Sequence, residues 1–243
     1  MAFEFNGTNQ HLLRSSTPIT AVPLTMFGRY RYDTAIADDA EHTVLSLADH
    51  DAQQEFTIEI GRTGGVDYAI AMINSGGTVG FALSSVAPTI NTWQNICGVY
   101  PTTSSRTVYL NGGSSGTDTT SVTPSGISHI YVGATSSSSS IIKSFNGAIA
   151  DTAIWNVELN TSEIAALNAG YSPLLIRPSA LVYYQPLIRE LNDYRGAIFT
   201  NVNTATVFDH PRIIMPGDQY GLAVPAAVAS ATYSGYYGPS GYF

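Results

Sequence analysis

Cysteine is almost missing from this chain. Cys97 is the only one in 243 residues, so no intrachain disulfide can hold the fold together. It alternates with Trp93, Asn95 and Val99, the pattern of a small buried hydrophobe, and no basic motif stands near it to activate a thiolate. Lysine is just as scarce, with Lys143 alone. The net charge is −8 and no block of Lys or Arg occurs, which argues against nucleic acid and anionic membrane as partners. Charged residues amount to 12%, against a usual share of about 25%. Polarity comes instead from Ser, Thr, Gly and Asn, and the 44% of hydrophobic residues suits a rigid all-β protein better than a disordered one. No apolar run approaches the length of a membrane span.

Metal motifs are missing too. His11, His42, His50, His129 and His210 are scattered, without an H-x-x-x-H or C-x-x-C pair, which argues against zinc. Asp38-Asp39 and Asp49-x-Asp51 could supply oxygens to calcium, but no twelve-residue loop frames them. The expectation is no cofactor, with calcium left open. The start, MAFEFNG, enters a strand at once and shows no charged n-region, apolar stretch or cleavage site. The chain therefore reads as made in a cytoplasm without a signal peptide.

Strand-like stretches recur from residue 2 to residue 157, separated by turn signals at Gly64-Gly65, Ser75-Gly76-Gly77 and Asn111-Gly112-Gly113. Ser136 to Ser140 reads as a polar loop. The most telling stretch is FNGAIADTAIWNVELNTSEIAAL, from Phe145 to Leu167. Its strand places Ile149, Asp151, Ala153 and Trp155 on one side and Ala148, Ala150, Thr152 and Ile154 on the other. Asn160 stands three residues before Glu163, a capping box. Ile164 and Leu167 give the helix an apolar side, and Gly170 is placed to end it. A short helix near 161–169 follows.

This unit resembles the closing segment of laminin-G-like, concanavalin A-like jelly rolls. WQNICGVY and RTVYLNG, from Trp93 and Arg106 onward, resemble that family's hairpin. Phe5-Asn6-Gly7 resembles its first strand, and IYVG at Ile130 the strand before the close. The resemblance covers roughly residues 2–170. It implies an all-β fold, a two-sheet antiparallel jelly-roll β-sandwich, over residues 1–170. Residues 171–217 carry LVYYQPL and NDYRG, which resemble an opening segment of related modules displaced to the other end. They either complete the sandwich or form an appendage. Residues 218–243 are a Gly, Ala and Tyr-rich tail, read as a frayed end or as an assembly arm in which Tyr233, Tyr236, Tyr237, Tyr242 and Phe243 contact another subunit.

Glu55-Phe-Thr-Ile-Glu59 is similar to the E-x-D-x-E strand of some concanavalin-like glycosidases, but Thr57 replaces the central Asp and the flanking tryptophans are missing. The competing expectation is ion pairing with Arg29 and Arg31 on a polar sheet face. Gly112 to Gly116 fits G-x-S-x-G literally, yet no helix follows, so it reads as a Gly/Ser hairpin loop. Arg29, Arg31, Glu59 and Tyr109 fall on polar strand faces and form the candidate glycan-binding platform. Fold does not fix function. The first expectation is a non-enzymatic structural or adhesive protein of a bacteriophage virion, as capsid decoration or tail-associated, a setting implied by the resemblance of laminin-G-like modules to proteins of phage heads and tails. Its partners would be other virion proteins, further copies of itself as a homo-oligomer, or a cell-surface glycan. A stand-alone lectin comes second and a degenerate glycoside hydrolase third.

Overall fold

The computed structural model describes residues 2–50, 53–188 and 191–216. Two antiparallel sheets face each other. In the first, the path runs β10 (Gly113–Asp118), β9 (Ser105–Leu110), β8 (Gln94–Thr102), β3 (Leu24–Tyr32), β14 (Asn146–Trp155), β1 (Ala2–Asn6) and β17 (Thr206–Phe208). In the second it runs β16 (Thr200–Val202), β2 (His11–Arg14), β11 (His129–Val132), β4 (Glu41–Ala48), β5 (Gln54–Thr63), β6 (Val66–Ser75) and β7 (Thr78–Leu83). A small hairpin, β12 (Thr135–Ser137) and β13 (Ser140–Ile142), stands apart from both. This is the jelly-roll β-sandwich that the sequence motifs implied.

Alternation builds the core. Met26 and Tyr30 of β3, Ile96 and Tyr100 of β8, and Phe56, Ile58 and Ile60 of β5 turn inward and are buried together. The sheets pack tightly at Gly28 and Gly98. A Cβ on Gly28 would lie 2.7 Å from Val44 Cγ1, and one on Gly98 would lie 2.7 Å from Ile58 Cγ2, so only glycine lets Val44 and Ile58 reach across.

Strand β14 corrects the simple alternation expected for it. Its register with β3 shifts between Ala150 and Thr152, and Asp151 takes φ 44° there, a β-bulge. The extra residue reverses the phase. Ile149 before the bulge and Ile154 after it both join the main core, whereas Ala153 and Trp155 turn outward beneath helix α1 (Thr161–Asn168). The capping box forms as expected: Asn160 Oδ1 accepts from Ser162 N and Glu163 N at 3.0 Å each, and Glu163 Oε2 accepts from Asn160 N at 2.8 Å. Ile164 and Leu167 are buried against Trp155, and Gly170 follows with φ 99°.

After the helix the chain returns to both sheets. β15 (Leu181–Gln185) pairs with the second half of β14, from Thr152 to Trp155. β17 pairs with β1, and β16 with β2. Two stretches expected as loops are strands. The Gly/Ser segment after Gly112 forms β10, because Gly116 passes so close to β7 that a Cβ would meet Leu83 O at 1.7 Å. The serine run 136–140 folds into the β12–β13 hairpin.

Candidate functional site

The outward-facing residues of β5 are Glu55, Thr57 and Glu59, opposite in phase to Phe56, Ile58 and Ile60. They are nonetheless buried, because the β12–β13 hairpin lies over that face. Thr135 Oγ1 donates to Glu55 Oε2 at 2.6 Å, Ser136 Oγ donates to His50 O at 3.1 Å, and Thr43 N donates to Lys143 O at 2.9 Å. These bonds stitch the hairpin across β4 and β5.

Glu55 also accepts from Asn74 Nδ2 at 3.3 Å. Glu59, fully buried at 0% exposure, is held by Lys143 Nζ at 3.2 Å, and the same ammonium reaches Glu41 Oε2 at 2.9 Å. Burial pushes the Glu59 carboxyl up to about 7, with Lys143 pulling the other way and Glu41 adding to the rise. The Lys143 ammonium, against burial, is raised by the carboxylates around it. Thr57 Oγ1 has no hydrogen-bond partner among the described residues.

Beyond the hairpin the same face opens into a cleft of about 200 Å³. Pairing sets its floor: Glu59 of β5 lies opposite Ile70 of β6, which lies opposite Leu83 of β7, and Met72 lies opposite Phe81. Ile70, Met72 and Leu83 are apolar. Phe81, on the edge strand β7, is 50% exposed. Asp39, Glu41 and Arg62 stand around the rim, and Arg62 Nη1 is fixed by Asp67 at 2.8 Å. Glu59 closes the inner end. An exposed ring continuing an apolar sheet face, bordered by a few planar polar groups, suits a small ligand with one apolar face and several hydroxyls.

The arrangement suits glycoside cleavage poorly. Retaining hydrolysis uses two carboxyls about 5–5.5 Å apart that can take and give a proton. Here Glu55 lies under the hairpin with Thr135 and Asn74, Glu59 is tied to Lys143, and Thr57 between them brings no carboxyl.

The four platform residues do not come together. Arg29, Arg31 and Tyr109 lie on the first sheet, pointing outward, and Glu59 points out of the second sheet on the opposite side of the sandwich. Arg29 is buried. It donates to Leu167 O, Tyr171 O and Arg212 O, each at 3.2 Å, and faces Asp151 Oδ2 at 3.2 Å. Arg31 pairs with Asp33 and Asn91 and lies 4.9 Å from the centre of the Phe208 ring. Tyr109 packs against the cluster under α1. The ion pairing expected between Glu59 and these arginines is replaced by Lys143. Alternation tells which side of its own sheet a residue faces, but not which sheet owns the strand.

Phe81, Arg62, Met72 and Lys143 were not singled out from the sequence. The Gly64-Gly65 and Ser75-Gly76-Gly77 turns, which make β5, β6 and β7 consecutive hairpins, carried the signal for the first three. Among the calcium candidates, Asp38 Oδ1 accepts from Gly65 N at 3.0 Å and Asp49 Oδ1 accepts from Gln54 N at 3.2 Å, while Asp51 is outside the described residues. Among those described, no group of three or more His, Cys, Asp or Glu is placed to hold a metal ion. Tyr233, Tyr236, Tyr237, Tyr242 and Phe243 also lie outside the described residues.

A family model described as the concanavalin A-like lectin/glucanases superfamily matches residues 8–165. The chain belongs to this family. Three solved structures share its fold at low identity. A candidate carbohydrate-binding protein from Bacteroides ovatus is similar at TM-score 0.60 and 18% identity, over 88% of this chain and 61% of that one. Tailspike protein 2 from an Escherichia coli bacteriophage is similar at TM-score 0.55 and 12% identity, over 77% of this chain and 26% of that one. The CBM40 of the Ruminococcus gnavus IT-sialidase is similar at TM-score 0.54 and 15% identity, over 69% of this chain and 96% of that one. The chain thus spans under two thirds of the first protein and about a quarter of the tailspike. No curated protein sequence matches it.

Proposed function

We propose that this protein is a non-enzymatic, lectin-like binding protein that takes a carbohydrate in the cleft lined by Phe81. The observation that carries this reading is the half-exposed Phe81 ring beside Ile70, Met72 and Leu83 on one sheet face, in a cleft also lined by Asp39, Glu41 and Arg62. A pyranose lays its C–H face on the ring and turns its hydroxyls to the carboxylates and the guanidinium. The CBM40 has been solved with sialyllactose bound, which supports sugar binding on this fold. A cleft this small makes each contact weak, and several copies on one surface multiply the avidity.

The setting proposed is a bacteriophage particle, where the protein acts as capsid decoration or as a tail-associated adhesin. The fold shared with a phage tailspike supports it.

A broad glycan array tests the binding reading. Binding is expected for the full chain and should be lost in Phe81→Ala and weakened in Arg62→Ala, with the fold intact by circular dichroism. Silence across the array, or binding untouched by Phe81→Ala, would overturn it. Turnover of β-glucans or galactans that disappears in Glu55→Gln or Glu59→Gln would overturn the non-enzymatic part. Antibody labelling of source particles tests the setting separately, since unlabelled particles remove the virion role and leave the cleft standing.

A further inference from the structure

The outer face of the first sheet, on the far side of the sandwich from Phe81, carries a second cleft of about 230 Å³. Its chemistry differs from that of the first. We propose that it is a second sugar site, selective for an acidic hexose such as a uronic acid.

The cleft is built from residues whose positions are fixed. Trp93 is half-buried and packs against Phe208, ring centres 6.4 Å apart, above the small side chains of Ala148 and Ala150. A flat floor and a braced indole give an aromatic wall with little freedom to lose on binding. Facing it, Asn95 Nδ2 donates to Asn168 Oδ1 at 2.9 Å. That bond orients both amides and leaves Asn95 Oδ1 and Asn168 Nδ2 as an acceptor and a donor for hydroxyl groups.

The third wall is Arg212. Its carbonyl accepts from Arg29 Nη1 at 3.2 Å, and Ile214 N donates to Gly170 O at 2.8 Å. The segment is therefore anchored on both sides of Arg212, while the Arg212 side chain is exposed and has no ion pair among the described residues. Among the described residues no carboxylate lines this cleft, although the chain carries net charge −8. Asp151 is close to Arg29 but is engaged by it and by Tyr184 Oη, which donates at 2.8 Å.

Charge separates the two clefts. Asp39 and Glu41 border the one lined by Phe81, where Arg62 is already paired with Asp67, and they disfavour an anionic sugar there. Arg212 beside an amide-lined cleft with no acid among the described residues favours one, because a guanidinium grips a carboxylate through paired N–H groups. Two sites of different selectivity on opposite sheets let one molecule bridge two saccharide chains.

Methyl glucuronide and methyl glucoside are the probes, titrated into the full chain by calorimetry and by tryptophan fluorescence. Trp155 is fully buried under the helix, so a change in emission on binding reports Trp93. The glucuronide should bind and shift the emission, the glucoside should bind here at least about tenfold more weakly, and added salt should weaken the glucuronide. Arg212→Gln and Asn168→Ala, both at exposed positions, should each weaken the glucuronide about tenfold, the loss that one charge-assisted or well-placed hydrogen bond accounts for. Phe81→Ala should leave it unchanged. Glucuronide binding that survives Arg212→Gln, that is lost in Phe81→Ala, or that is missing from the intact wild-type chain would overturn the proposal. The Arg212→Gln and Asn168→Ala results do not bear on neutral-sugar binding in the cleft lined by Phe81, which stands or falls on Phe81→Ala titrated with a neutral sugar.

Discussion

Glu59 occupies a position where a carboxylate is costly. It is fully buried, and the Lys143 ammonium at 3.2 Å is what offsets the lost water. The direction of the imbalance follows from its protonation. Burial raises the carboxyl from 4.5 to about 7. Between those values the folded protein keeps a proton that the unfolded chain has released, so unfolding becomes easier as pH rises. Stability linked to Glu59 is fully present below about 4.5 and is lost as pH climbs through about 7. Glu59→Gln should flatten the dependence of melting temperature on pH across that window. An equal slope in wild type and variant would assign the dependence to another group. None of this was legible in the sequence, where Glu59 alternated with hydrophobes like any outward residue and its partner lay 84 positions away. Arg29 misled for the same reason. Its alternation was right, but its burial comes from Leu167 in helix α1 and from Tyr171 and Arg212 beyond it.

Elements whose signals are local were readable and those set by pairing were not. The helix start needed only Asn160 and Glu163, and the capping box closes as the spacing implied. Asn160→Ala should cost about 0.5–2 kcal/mol and Asn160→Gly only a few tenths, since glycine also tolerates the cap position. Urea unfolding of the two variants checks the order, and equal losses would mean that the side-chain bonds to Ser162 N and Glu163 N contribute little. The bulge at Asp151 is the opposite case. Nothing in ADTAIW marks an extra residue, because the bulge exists only in the pairing against β3. The serine run 136–140 shows the same limit: its polarity fitted a solvated loop, and it became a hairpin because Thr135, Ser136 and Lys143 find Glu55, His50 and Glu59 beneath them.

At the scale of the molecule, the motif order from Phe5 to Leu167 carried the two-sheet architecture, but the pairings made after Gly170 could not be read from it. One edge of β14 is shared, its first half taken by β1 and its second by β15. A chain ending at residue 170 would leave the second half as an open edge with unpaired amides. It would also remove the buried Leu181, Tyr183 and Tyr184, take away the Ile176 carbonyl that Trp155 Nε1 reaches at 2.7 Å, and deprive the buried Arg29 of two acceptors. Burying each of those side chains contributes roughly 1.5–3 kcal/mol, and an uncompensated buried cation costs several more. Such a loss matches the whole stability of an ordinary domain, about 5–15 kcal/mol. The chain 1–170 should therefore fail to melt cooperatively, whereas 1–216 keeps every described strand of both sheets and should melt close to the full chain. A cooperative transition in 1–170 would show that the later strands decorate the sandwich without supporting it. Light scattering on 1–216 and on the full chain then isolates the remaining 27 residues, 217–243: an assembly role for Tyr233, Tyr236, Tyr237, Tyr242 and Phe243 requires the shorter chain to lose oligomeric mass while its melting curve stays in place, and an unchanged mass removes that role.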